Sequence, residues 1–170
     1  MRNFVRVLVA ATSMLAVLTL SPASGHAGAP PPAHTSATDA AFVARMLFTT
    51  SLTTFSADAV ARVGADGRPG DRWFDWSTDF CSAPLVGNTG RTFNFTEPCR
   101  RHDFGYRNLK LLDQRYGRGT FWNAVDRYMV DLNFLTDMRH HCASRRLIDH
   151  PTCYAWALTF YSAVRAFGGL

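Results

Sequence analysis

Four cysteines, Cys81, Cys99, Cys142 and Cys153, limit what this 170-residue chain can fold into more than any other feature. Their meaning depends on compartment, and the first residues speak to that. Arg2 and Arg6 make a short basic start, residues 7–20 are an uncharged apolar run, and "SPASGHAGA" follows with small residues. This is the pattern of a secretory leader, expected to cover residues 1–27, because cleavage after Ala29 would meet Pro30. The apolar run of 14 residues is short for a membrane-spanning helix, which needs about 20. Export permits disulfides. Four cysteines allow three pairings, of which nearest neighbours, Cys81–Cys99 with Cys142–Cys153, are the simplest. Such bridges would restrain two short stretches rather than knit distant regions.

Without the leader about 140 residues remain, the size of one domain. Residues 28–36, "GAPPPAHTS", are expected to be a flexible Pro-rich lead-in, and 37–170 the folded domain. The formal charge of +5 falls to +3 once Arg2 and Arg6 are removed. A mildly basic exported protein is drawn to anionic surfaces such as phospholipid headgroups. The arginines are scattered and no nucleic-acid motif is present, so no nucleic-acid partner is expected.

Apolar spacing predicts helices. One begins at Thr38, with Phe42, Met46 and Leu47 recurring three and four residues apart; a second covers residues 51–63. "GADGRPGD" breaks the pattern, and Trp73, Phe74 and Trp76 anchor an irregular segment; Trp73 and Trp76, with the loop at 82–95, either form a membrane-contacting rim or pack in the core. Residues 82–95 read as a loop with a short β-hairpin. Thr96 is the expected cap of a helix running to Tyr116 and stopping at Gly117; Thr120 is the expected cap of another reaching His141. Pro151 opens a last helix, ended by Gly168 and Gly169. Nothing reads as a long alternating strand, and the expected class is all-α, a small bundle of about five helices.

The stretch "CRRHDFGYRN", residues 99–108, sets a histidine beside an aspartate. Adjacent helical residues point about 100° apart, so His102 and Asp103 face different surroundings. On that wheel Cys99, His102, Asp103, Tyr106 and Leu109 share one broad face, and Gly105 beside them leaves room for another backbone to come close. Taken singly, His102 reads as a core histidine bonded to a carbonyl and Asp103 as a surface carboxylate. Asp131 changes the balance, because it sits in an apolar stripe with Phe134, Leu135 and Met138, where an ionised carboxylate needs a partner. That partner is either His102 on a facing helix, whose second nitrogen would then be a base, or Arg127 one turn away. A Cys81–Cys99 bridge would also bring Asp79 close to Asp103. Two carboxylates forced together favour a cation between them, and the oxygen donors suit calcium. Zinc is disfavoured, since no paired Cys/His set or HExxH is present and His140–His141 cannot share one face. Asp75 is a competing ligand candidate.

The stretches "FDWSTDFC" (74–81), "CRRHDFGYRN" and "VDLNFLTDMRHHC" (130–142) resemble the motifs of the secreted phospholipase A2 enzymes of bacteria and fungi, with the same order of elements and both cysteine pairs. The resemblance implies a small helical enzyme that hydrolyses the sn-2 ester of glycerophospholipids with calcium. It implies that His102 is the general base and that Asp103 and Asp79 bind the ion by their side chains. Phe80 would offer its backbone carbonyl. It selects Asp131 over Asp126 as the support of the histidine, from its place eleven residues before the third cysteine. The Gly-rich calcium loop of the animal enzymes is absent, so only the shorter two-disulfide type fits. The expected partner is a phospholipid membrane or micelle surface, met by an extracellular monomer. The competing expectation is a non-catalytic lipid-binding or membrane-active protein on the same scaffold. A serine esterase is disfavoured because no G-x-S-x-G occurs.

Overall fold

The computed structural model describes residues 34–62, 73–81, 89–90, 93–117 and 119–168, all within one unit spanning Pro32–Leu170. The expected leader, 1–27, and most of the expected lead-in lie outside the described residues. Helix α1 (Ser36–Ala44) starts two residues ahead of the expected Thr38. Thr35 caps it, and Thr38 bonds back to the Thr35 backbone to complete a capping box. The helix widens into a π turn at Arg45–Thr49, and α2 (Leu52–Arg62) follows. The hairpin expected in 82–95 is present as β1 (Thr89–Gly90) paired antiparallel with β2 (Phe93–Asn94).

The long helices are α3 (Thr96–Tyr116), α4 (Ala124–Ala143) and α5 (His150–Phe167), the last preceded by a 3-10 turn at Leu147–Asp149. The all-α class stands. Two expected caps do not. Thr96 is already helical and Phe95 is the N-cap of α3, because Asn94 Oδ1 takes the Thr96 N–H at 2.9 Å. Thr120 is displaced by Asn123, whose Oδ1 accepts from the N–H groups of Val125 and Asp126 at 3.0 Å each. The reason is Asp113. Its Oδ1 accepts from the Phe121 and Trp122 backbones at 3.1 and 3.3 Å and holds them in a non-helical turn. Gly117 ends α3 as expected, at φ 152°, where a side chain would be strained.

The bridges are Cys81–Cys99 and Cys142–Cys153, with Cα atoms 5.3 and 5.6 Å apart. Each lies in one buried cluster with Phe134, Met138 and Phe160, while a second cluster gathers Met46, Leu47, Phe55, Phe104 and Leu112. Trp76, only 2% exposed, belongs to the second, which decides for core packing over a membrane-facing rim at this residue. Helices α3 and α4 contribute to both clusters, so their middle turns fall where the two meet. There Gly105 is buried, and an added Cβ would lie 2.8 Å from Val130 and 2.9 Å from Leu47. The close approach is thus by side chains, not by the backbone expected from the sequence. Arg101 of α3 forks onto the Asp137 carboxylate of α4, with its Nε 2.8 Å from Oδ2, and donates to the Thr50 carbonyl at 2.6 Å. These contacts fix the register of α3 against α4, and with it the relation of His102 to Asp131.

Candidate active site

The segment 75–81 has no helical or strand bonds of its own and borrows them from α3. Asn108, fully buried, accepts the Asp75 N–H at 2.8 Å and donates to the Asp75 carbonyl at 2.7 Å. Three residues on, Thr78 Oγ1 donates to Asp103 Oδ2 at 2.6 Å, and the Asp79 N–H donates to the same oxygen at 3.1 Å. The Cys81–Cys99 bridge ends the segment. The Asp79 backbone is therefore held at Asp103, close as a Cys81–Cys99 bridge implied, with Phe80 next in the chain. Asp75 turns back instead, accepting from the Ser77 N–H at 2.9 Å and from its hydroxyl.

Phe80 is the non-glycine residue with positive φ, 57°, among the described residues. That conformation costs energy for a side chain and persists only where neighbours enforce it. Here the Phe80 N–H donates to Thr78 Oγ1 at 2.9 Å, and the bridge follows at the next residue. Burial raises the Asp103 carboxyl to about 6 against the pull of the Thr78 bond, and the nearby Asp79 charge adds to the rise. Two acids that oppose each other's ionisation are the arrangement a cation relieves. Arg107 supplies part of that charge now, with Nη2 2.8 Å from Asp79 Oδ1. Among the described residues no group of three or more His, Cys, Asp or Glu side chains is gathered as a metal cage. Any ion here would rest on the two carboxylates, main-chain carbonyls and water, a hard all-oxygen set of the kind calcium accepts.

One turn of α3 serves both halves of the site. His102 points to α4, where its Nε2 lies 2.8 Å from Asp131 Oδ1. Asp131 is fully buried and accepts two further bonds: Tyr106 Oη to Oδ1 at 2.7 Å, and Arg165 Nη1 to Oδ2 at 2.7 Å. Burial pushes its carboxyl up, but the bonds from His102, Arg165 and Tyr106 outweigh that and hold it below the usual range. An ionised carboxylate only accepts, so Nε2 carries the hydrogen and Nδ1 keeps the lone pair. Of the two pairings open to Asp131, His102 is the one formed; Arg127 donates instead to the Arg165 carbonyl, at 2.8 Å. The His102 ring is held from both sides by Tyr106 and Phe134, with centroids 4.3 and 4.8 Å away.

A cavity of about 250 Å³ opens on these groups. His102 and Asp103 form its polar end; Phe80, Phe134, Phe160 and Val164 form an apolar wall, and Phe167 sits at the rim, 65% exposed. A polar, charged end joined to an apolar channel suits a molecule with an ionic head and a hydrocarbon tail.

The sequence did not assign Thr78, Tyr106, Arg107, Asn108 or Arg165 to the site. Tyr106 carried a signal, one helical turn from His102 on the same face, and Asn108 another, as an amide in the buried run of α3. Nothing local marked Arg165, which reaches the site only through the return of α5.

Known proteins resemble the chain over the same residues. The model of the prokaryotic phospholipase A2 family matches residues 43–168. A secretory phospholipase A2 of Arthroderma benhamiae is 32% identical over 157 residues, 91% of this chain and 95% of the relative. A secretory phospholipase A2 of Beauveria bassiana is 37% identical over 95 residues, 56% of this chain but 44% of that longer relative. The family match runs from inside α1 to the end of α5 and takes in every residue of the cavity, so this chain belongs to the prokaryotic phospholipase A2 family.

Proposed function

We propose that this protein is a secreted, calcium-dependent phospholipase A2 that cleaves the sn-2 ester of glycerophospholipids with a water molecule activated by His102. The observation that carries the reading is the contact between His102 Nε2 and buried Asp131 at 2.8 Å, beside a cavity with one polar end and one apolar wall. With Nε2 donating, Nδ1 is the nitrogen able to take a proton from water, and the hydroxide so formed attacks the ester carbonyl. Asp131 fixes the tautomer and stabilises the imidazolium that results. The same nitrogen then returns its proton to the leaving glycerol oxygen, which closes the cycle. Asp79 and Asp103 by their carboxylates, and Phe80 by its carbonyl, would hold calcium. When bound, the ion supplies positive charge for the substrate phosphate and the developing oxyanion. Apolar residues of the wall take the acyl chain and keep bulk water from the ester.

Export is part of the proposal. The two relatives carry secretory names, and two disulfides suit an oxidising compartment. The partner is a phospholipid membrane or micelle surface, met by the monomer. The test uses phosphatidylcholine vesicles with different acyl chains at sn-1 and sn-2. Release of the sn-2 acid alone, abolished by EDTA and restored by calcium, is the expected result. Release of both acids, or undiminished release with EDTA, counts against it. Vesicle binding without any release favours the lipid-binding alternative.

A further inference from the structure

The two oxygens of Asp131 serve different helices. Oδ1 accepts from His102 and Tyr106, both on α3, whereas Oδ2 accepts from Arg165, on the last turn of α5. Arg165 is itself tethered. Its carbonyl accepts from Arg127 Nη2 at 2.8 Å, and its guanidinium lies 5.2 Å from the centre of the Tyr128 ring; both partners are on α4. The other titratable groups whose charge reaches it are Tyr161 of α5 and Tyr106 of α3. The charged groups bonded to it are the buried Asp131 carboxylate and the Arg127 guanidinium.

That arrangement orients the carboxylate. A carboxylate held through one oxygen can swing about its Cβ–Cγ bond; a charged donor on the second oxygen fixes its plane.

Building on the phospholipase reading of the site, we propose that Arg165 is a positioning residue for the His102–Asp131 pair. It pins Oδ2 so that Oδ1 meets Nε2, and so holds the imidazole in the Nε2–H form. Touching neither the cavity's polar end nor the reacting atoms, it acts through Asp131.

The test compares the full chain with Arg165→Gln and Arg165→Lys. Two readouts are taken: kcat and KM on phosphatidylcholine vesicles with calcium, and nitrogen NMR of the His102 imidazole without substrate, which reads the nitrogen that carries the hydrogen in the neutral ring. For Arg165→Gln a fall in kcat of about ten- to a hundredfold is expected, the loss typical of a buried bond to a charged group, with KM little changed. Its imidazole is expected to lose the single Nε2–H form and to show both tautomers. Lysine keeps the charged donor but not the fork, so kcat is expected to fall only a few-fold, with the Nε2–H form kept. Wild-type kcat and an unchanged Nε2–H form in a folded Arg165→Gln overturn the proposal. Should the glutamine variant fail to fold, the lysine variant decides: loss of the Nε2–H form, or a change confined to KM, overturns it. The NMR readout separates the two ideas. An inactive wild type whose tautomer still depends on residue 165 ends the phospholipase reading and leaves Arg165 coupled to the pair; an active wild type with no such dependence ends only this inference.

Discussion

That His102 and Asp103 face different surroundings was legible from the sequence, because helical neighbours point about 100° apart. The surroundings themselves come from residues far along the chain: Asp131 for the first, and the 78–79 stretch for the second. The spacing of α3 shows a face, not what the face meets, so Tyr106 and Thr78 went unassigned. Replacing Asp131 with Asn is expected to cut turnover by about 10²–10⁴, since an amide can donate to Nε2 and stabilise the wrong tautomer; initial rates at saturating lipid measure it. For Asp103 the sign follows from its carboxyl, which burial lifts to about 6. Calcium needs the carboxylate, so its affinity should weaken as pH falls through that value and level off above it, as calorimetric titration at several pH values would read. An affinity flat down to the usual aspartate range would show that the carboxylate the ion needs is not the raised one of Asp103.

At the scale of elements, helix existence and the end of α3 at Tyr116 and Gly117 were legible, whereas the caps of α3 and α4 were not. Thr96 and Thr120 have the chemistry of caps, but Asn94 and Asp113 reach the neighbouring N–H groups first. Such competition depends on how the loops fold back. Gly105 shows the same limit in another form: its presence announced close packing, but the neighbours proved to be Val130 and Leu47. Gly105→Ala should cost about 1–3 kcal/mol through overpacking, outweighing the helical preference for alanine, and denaturant unfolding measures it. Asp39 locks α1 to the rest by accepting from Trp73 Nε1 at 2.6 Å and Tyr116 Oη at 2.8 Å, with His34 Nδ1 at 2.7 Å. Burial raises its carboxyl, but these three bonds together hold it below the ordinary 3.8. Its contribution to stability is then complete above 3.8 and is lost as pH falls through the lowered folded value. Asp39→Asn should melt earlier than wild type at neutral pH, and the gap should close in acid. A gap independent of pH would show that the charge of Asp39 plays no part.

Across the whole molecule, the cavity is floored by α3 and walled by α5 and by Phe134 of α4, beside the apolar cluster that holds both disulfides. The segment 75–81 is held against that floor by Asn108, Asp103 and one disulfide rather than by secondary structure. Removing the bridge by a double Cys81→Ser, Cys99→Ser change should cost about 3 kcal/mol from the loop closed across 18 residues, and should weaken calcium binding further than it lowers the melting temperature suggests. Conversely, calcium at about 100 times its Kd should stabilise the native protein by about 2.7 kcal/mol. The central claim concerns the imidazole, and its most direct measurement is the rate of sn-2 fatty-acid release by His102→Asn against wild type, at saturating calcium and with matched circular dichroism. A folded variant slower by about 10²–10⁴ is the predicted result. A folded variant that retains the wild-type rate would contradict the account, whatever the ion does.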